Sequence, residues 1–512
     1  MQGTPTGRPL DVLFVNADAP TKIYQELSKD YSAIEPPTWS LLLAQSCRAK
    51  GYGVAILDAT AERLTDEQAV ARIAGIRPRL VCFVVYGQTP NAGTTNMEGN
   101  TACCALLKAT HPDLKTCFVG SHTSALPMEV LSLPYVDFVL LNEGVYALHN
   151  LLQTDLETGL NQVKGIGHKA HGGPVLNAPQ HVVPQDRMDA DLPGYAWDLL
   201  PYRSRPLDVY RAHFWHADYQ HDLRTPFAAV YTSLGCPFKC DFCMINIVNR
   251  VDNADGVVAA NSPGMRHWST GFMLSEFERL ANMGVETIRL SDEMFFLNKA
   301  YYEPLLTGLL ERRIPLRTWS YSRVDTVKEK YLELFKRAGV NWLAIGIESA
   351  DQMIRHEVTK GAFKDVNIRK VCQSIQQADI GVVANFIFGL PQDTIETMER
   401  SLQLSLELCA EFANFHPCQA LPGSGLYYTA KTKGWPLPST FSGYGFLSYD
   451  SQPLPTDYVS AAEVIRFRDY AWQTYFTHPS YLDLVARKFG AEARRNVEDV
   501  SRIRLRRRLL GD

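Results

Sequence analysis

Ser233-Leu-Gly-Cys-Pro-Phe-Lys-Cys-Asp-Phe-Cys-Met244 carries Cys236, Cys240 and Cys243 in the spacing C-x3-C-x2-C. Three thiolates this close can converge on one soft metal centre, and thiolate is the ligand that iron–sulfur clusters take. A 4Fe–4S cubane has four irons, so three cysteines leave one iron open to bind a further molecule. Structural zinc takes four ligands, often as two separated pairs. No second C-x2-C pair and no nearby His-x3-5-His pair follows here. The other eight cysteines (Cys47, Cys82, Cys103, Cys104, Cys117, Cys372, Cys409 and Cys418) lie in apolar or helical contexts and read as small buried hydrophobes. Disulfides do not suit a chain of this cytosolic look.

Strand and helix patterns alternate outward from this loop. Ala228–Ser233 leads into it as a strand. Apolar runs near 287–291, 316–321, 342–347 and 382–388 follow, with helical patterns at 273–283, 299–312, 328–338, 365–378 and 393–411. Repeated units of this length predict a complete or partial barrel with its chemistry at the carboxyl ends of the strands. Ahead of the loop, runs at 11–16, 54–58, 80–86, 116–120 and 136–141 are apolar enough to be covered on both faces. They predict a doubly wound parallel sheet that binds ligands beyond its strand ends. The expected divisions are a sheet domain over 1–155, a Pro-, Gly- and His-rich connector over 156–222, a barrel over 223–425, and a mostly helical closing region over 426–512.

The cysteine run, with Phe242 just before its third cysteine, resembles the signature of the radical S-adenosylmethionine (SAM) superfamily. The resemblance spans roughly 223–425 and returns strand by strand. Ser291, Asp292 and Glu293 match the segment that contacts the amino group of SAM, and a carboxylate suits an ammonium. Arg323 is a partner for the SAM carboxylate or a member of an ordinary salt bridge. Glu348 and Ser349 match the ribose-contacting pair. Gly389 and Pro391 match the turn beside the adenine. Pro263–Ser269 and Gln419–Tyr428 resemble stretches of the cobalamin-using members.

Residues 1–155 resemble the cobalamin-binding, Rossmann-like domain that precedes the cluster domain in many of these enzymes. The resemblance rests on Glu35–Ala44, Gly51–Asp58, Gly120–Pro127 and Val136–Gly144, and it implies cobalamin contacts at Thr89, Gly120, Ser121, His122, Glu143 and Gly144. The Asp-x-His-x-x-Gly loop that ligates cobalt in other cobalamin proteins is absent, since the first histidine is His111. Without that donor, methyl transfer from the corrinoid should be easier.

The resemblance implies a 4Fe–4S cluster, SAM and cobalamin as cofactors. It also implies methylation of an unactivated carbon or phosphorus centre of a small-molecule intermediate through a 5′-deoxyadenosyl radical. The alternatives are cyclisation or rearrangement with the same cofactors, a radical SAM enzyme whose first domain binds no cobalamin, and an iron–sulfur sensor. A reduced flavodoxin- or ferredoxin-type donor would supply the electron.

Composition agrees with a globular enzyme: of 512 residues, 46% are hydrophobic and 21% charged. The net charge of −4 offers no broad basic field for nucleic acid. No apolar run approaches the roughly 20 residues of a membrane span, and the polar first residues lack a signal-peptide core. A cytoplasmic location is expected.

Overall fold

Short runs rich in Val, Ile, Phe and Cys, buried on both faces, form the first sheet. A computed structural model of the protein describes residues 10–87, 92–250, 252, 262–359, 363 and 365–512. β1 (Val12–Asn16), β2 (Val54–Asp58), β3 (Leu80–Val85), β4 (Thr116–Gly120) and β5 (Phe138–Leu140) are parallel and lie in the order 2-1-3-4-5. Helices Thr38–Ala49, Asp66–Ile76, Ala92–Thr110 and Val145–Leu152 follow these strands. Thr65 and Gln68 close a capping box at the start of the second of these helices. The strand order reverses between β1 and β3, and doubly wound sheets take ligands at that point, beyond the strand ends.

The stretch expected as a connector contributes to this sheet. β6 (Ile166–Ala170) and β7 (Gly173–Leu176) form a hairpin that extends the edge antiparallel to β5. β7 is only partly buried and contains Gly173 and Pro174, so it lacks the apolar signature of a central strand.

The second sheet is parallel throughout: β8 (Phe227–Val230), then β11 (Thr287–Leu290), β12 (Arg317–Arg323), β13 (Val340–Glu348), β14 (Gly381–Phe388) and β15 (Phe412–Pro417), each beside the last. Between β8 and β11, β9 (Ser233–Leu234) and β10 (Arg266–His267) pair antiparallel around the cysteine loop. Sequential parallel addition with helical crossovers curls the sheet into a half-barrel. β15, Phe-Ala-Asn-Phe-His-Pro, has no β-branched residue and no strand is predicted there from sequence. Three helices, Ala461–Phe476, Pro479–Phe489 and Ala491–Arg502, form the C-terminal region.

One apolar core runs without interruption from Phe14 and Trp39 through Trp319 and Phe386 to Tyr475, so it spans all three regions. Polar ties cross the same junction. The Tyr210 hydroxyl donates to Asp58 at 2.8 Å, Thr38 Oγ1 donates to the Ala229 carbonyl at 3.3 Å, and Arg289 pairs with Glu35 at 2.6 Å.

Candidate active site

Each arm of the cysteine loop is braced. Gly235, which precedes the first cysteine, has φ +90°, and a Cβ there would lie 2.0 Å from Asn249 Nδ2, so only glycine fits. Asn246 spans the loop: its Oδ1 accepts from the Cys236 N–H at 3.3 Å and its Nδ2 donates to the Phe238 carbonyl at 3.1 Å. The Asp241 N–H donates to the Val358 carbonyl, and the Asp241 carbonyl accepts from the Leu426 N–H. Arg323 lies over the Phe238 ring, 3.8 Å from its centroid, and binds both oxygens of Asp325. Sequence reading missed Asn246 and Asn249, since amides in a loop carry no distinctive spacing.

Cys236, Cys240 and Cys243 are free of disulfides and face a cavity of about 780 Å³. Among the described residues no three acidic, Cys or His groups converge on one point, as the ligands of a single ion would. Thiols spread along a loop instead suit a cluster, in which each cysteine takes its own iron. Burial pushes all three thiols up to about 12, so a bound cation is what would keep them ionised.

Phe242, Ser291, Glu293, Arg323 and Glu348 line the same cavity. Burial lifts Glu293 to about 8 and Glu348 to about 7, the latter opposed by the Arg323 charge. Glu293 Oε2 has no hydrogen-bond partner among the described residues, which leaves an acceptor for a cation or an N–H.

Four of the expected residues do not line the cavity. Asp292 accepts from the Thr232 N–H and from the hydroxyls of Thr232 and Ser233, so its carboxylate holds the strand that enters the cysteine loop. Ser349 Oγ meets Ser401 Oγ at 3.3 Å and accepts from the Asp351 N–H, facing a neighbouring helix. Gly389 packs against Val464, and its N–H donates to Asp393. The Pro391 carbonyl accepts from Asp457 N–H. All four lie in the loops just past the strand ends, where side-chain direction follows each loop's own hydrogen bonds.

Toward the first sheet the cavity reaches Asn16 and Ala17 after β1 and Tyr86 and Gly87 after β3, the two sides of the switch point. A second cavity of about 40 Å³ shares Trp39, Tyr86 and Glu293 with it and touches Ser121 and Glu143. Glu143 forms a buried ion pair with Arg266 at 2.9 Å and also accepts from the Val183 N–H, so it joins the two domains. Gly120 abuts the Val85 carbonyl and Gly144 abuts Val119. Thr89 lies outside the described residues. His122 Nδ1 meets Thr94 Oγ1 at 3.2 Å, its ring sits edge-on to Phe441, and burial lowers it to about 4. Its ring lines neither cavity. The two histidines on the larger cavity, His213 and His416, belong to the connector and β15, and neither comes from the first sheet. The open edge at the switch point, bordered by Asn16, Ala17 and Gly87 and by the stacked rings of Trp39 and Tyr86, therefore fits a corrinoid that takes no imidazole from this sheet.

Residues 230–405 match the Radical SAM superfamily, and residues 30–152 match the B12 binding domain. The chain is a cobalamin-dependent radical SAM enzyme. A 4Fe–4S cluster, SAM and cobalamin are its cofactors. An uncharacterized methyltransferase of Pyrococcus horikoshii is 26% identical over 399 residues, covering 77% of this chain and 78% of the relative. Anaerobic magnesium-protoporphyrin IX monomethyl ester cyclase of Rubrivivax gelatinosus is 25% identical over 405 residues, covering 77% of this chain and 66% of the cyclase. Among solved structures, the radical SAM methyltransferase TsrM of Kitasatospora setae, with tryptophan substrate and a SAM analogue bound, superimposes with a TM-score of 0.66 at 16% identity. That match covers 97% of this chain and 99% of TsrM, so the radical SAM enzyme shares its whole fold. No helix among the described residues is long and apolar enough to cross a membrane.

Proposed function

We propose that this enzyme methylates an unactivated carbon or phosphorus centre of a small-molecule biosynthetic intermediate. The observation that carries the reading is one continuous cavity bounded by the three cysteines and by the switch-point edge of the B12-binding sheet. When bound, the cluster with SAM supplies a hydrogen-abstracting carbon radical, and the corrinoid supplies a transferable methyl group.

The chain's own residues hold and shield these groups. Cys236, Cys240 and Cys243 are the cluster ligands. Ser291 and Glu293 would take the ammonium of SAM, Arg323 its carboxylate, Glu348 would accept from the ribose hydroxyls, and Phe242 would cover the loop side. Asn16, Ala17 and Gly87 border the corrinoid. Trp472 and Phe476 of the C-terminal helix close the barrel side and exclude water. A reduced flavodoxin- or ferredoxin-type protein delivers the electron.

The resemblance to the Rubrivivax cyclase favours a second reading, in which the radical rearranges the substrate without methyl transfer. The test is anaerobic turnover of protein reconstituted with iron, sulfide and cobalamin, given SAM, a low-potential reductant and a small-molecule cell extract as the source of substrate. S-adenosylhomocysteine formed together with 5′-deoxyadenosine supports methyl transfer. 5′-Deoxyadenosine alone supports the rearrangement, and the absence of both overturns the enzyme reading.

A further inference from the structure

The cavity has two tiers along the barrel axis. Arg323, Gly346, Asn385 and Asn414 stand level across β12 to β15. Toward the carboxyl ends come Glu348, Ile387 and His416. In the opposite direction lie Arg289, Trp319, Tyr321 and Phe412, all facing the cavity. Trp472 and Phe476 of the C-terminal helix add two more rings.

This inner tier is aromatic and internally neutralised. Arg289 pairs with Glu35 at 2.6 Å and lies 4.6 Å from the Trp319 ring centroid. Arg468 pairs with Asp469 at 2.8 Å and donates to the Phe415 carbonyl at 2.8 Å. Arg504, which also lines the cavity, is exposed and remains hydrated. At the boundary of this tier lies an amide pair, in which Asn414 Nδ2 donates to Asn385 Oδ1 at 2.9 Å. A carboxamide has two donor and two acceptor positions, and this bond uses only one of those on Asn414.

We propose that the inner tier is the substrate chamber and that it takes an uncharged planar aromatic ring bearing a hydrogen-bonding edge, such as an amide, a lactam or an N–H heterocycle. The inference rests on the enzyme reading above. Rings gain from stacking on Tyr321, Phe412 and Trp472, while the amide pair orients the polar edge. A phosphate ester meets buried cations that are already paired, and drawing Arg289 away leaves Glu35 as an uncompensated charge. A saturated hydrocarbon leaves the amide pair unmet.

The test is calorimetric titration of the full-length protein, reconstituted with cluster and cobalamin, using 2-naphthamide, cyclohexanecarboxamide and 2-naphthyl phosphate as probes. Naphthamide is expected to bind about tenfold tighter than either of the others. Trp472→Leu should weaken naphthamide about tenfold, and Trp472→Phe should restore most of the loss. Asn414→Leu should abolish the preference for naphthamide over naphthalene. The proposal is overturned if naphthamide does not bind, if the phosphate or the aliphatic amide binds as well, or if Trp472→Leu retains iron and cobalamin and binds naphthamide unchanged. Failure of methyl transfer is read separately. Absent S-adenosylhomocysteine with the expected probe ranking removes the methyltransferase reading alone, and present S-adenosylhomocysteine with an inverted ranking removes the chamber alone.

Discussion

At the scale of single residues, ligands and acceptors separate cleanly from packing groups. Cys240→Ala should reduce bound iron from about four per chain to near zero and abolish SAM cleavage, while cobalamin binding persists; iron analysis and the cobalamin spectrum check both. Glu293 carries a pH signature. Its ordinary value is near 4.5 and burial raises it to about 8 in the folded protein. Its contribution to stability is therefore complete below pH 4.5 and is lost as pH rises through 8. Before reconstitution, Glu293→Gln should gain in urea midpoint over the parent as pH goes from 5 to 9, since glutamine never ionises. A constant difference would count against the buried carboxyl. The three cysteines stand out by their spacing, and Glu293 and Glu348 by resemblance to the family's segments; the structure puts all five on one cavity. Asp292 and Ser349 sit in the same motifs, yet their side chains face Thr232 and Ser401. Motif spacing records proximity along the chain and not the direction of a side chain.

At the scale of elements, the switch point depends on how closely one helix approaches a loop. Gly99, in helix Ala92–Thr110, lies under the loop after β1, and an added Cβ would be 2.5 Å from the Asp18 carbonyl oxygen. Gly99→Ala should displace that loop and weaken hydroxocobalamin binding about tenfold, by roughly 1.4 kcal/mol, with iron content unchanged. Equilibrium dialysis measures the first and iron analysis the second. Helix Ala461–Phe476 carries Trp472 and starts at a capping box made by Ser460 and Glu463. Ser460→Ala should cost about 1 kcal/mol, read as a lower urea midpoint. The five parallel strands of the first sheet were readable because parallel strands covered on both faces are continuously apolar. The β6–β7 hairpin and β15 were not, because β7 is only partly buried and carries Gly173 and Pro174, and β15 has no β-branched residue.

At the scale of the whole molecule, the B12-binding and radical SAM domains behave as one folding unit, since a single core spans them. The Glu143–Arg266 pair is sealed at their junction, with both side chains nearly inaccessible. Arg266→Met should destabilise by about 3–5 kcal/mol by stranding a buried carboxylate, and Glu143→Gln in the same chain should recover much of that loss. Urea unfolding of the two variants tests this, and equal losses would show that the pair does not act as a unit.

The sequence by itself determined the cofactor chemistry and the order of the domains. Thiolate spacing, strand–helix alternation and the missing cobalt-ligating loop are local properties, and each can be read within a few dozen residues. Only the tertiary structure decided what shares the cavity. It brought Asn385, Asn414, Trp319 and Trp472 to one cavity, turned the Asp292 and Ser349 side chains toward Thr232 and Ser401, and made Glu143 a partner of Arg266. These juxtapositions arise from strand register and from contacts between residues some thirty to more than a hundred positions apart, which no local pattern encodes.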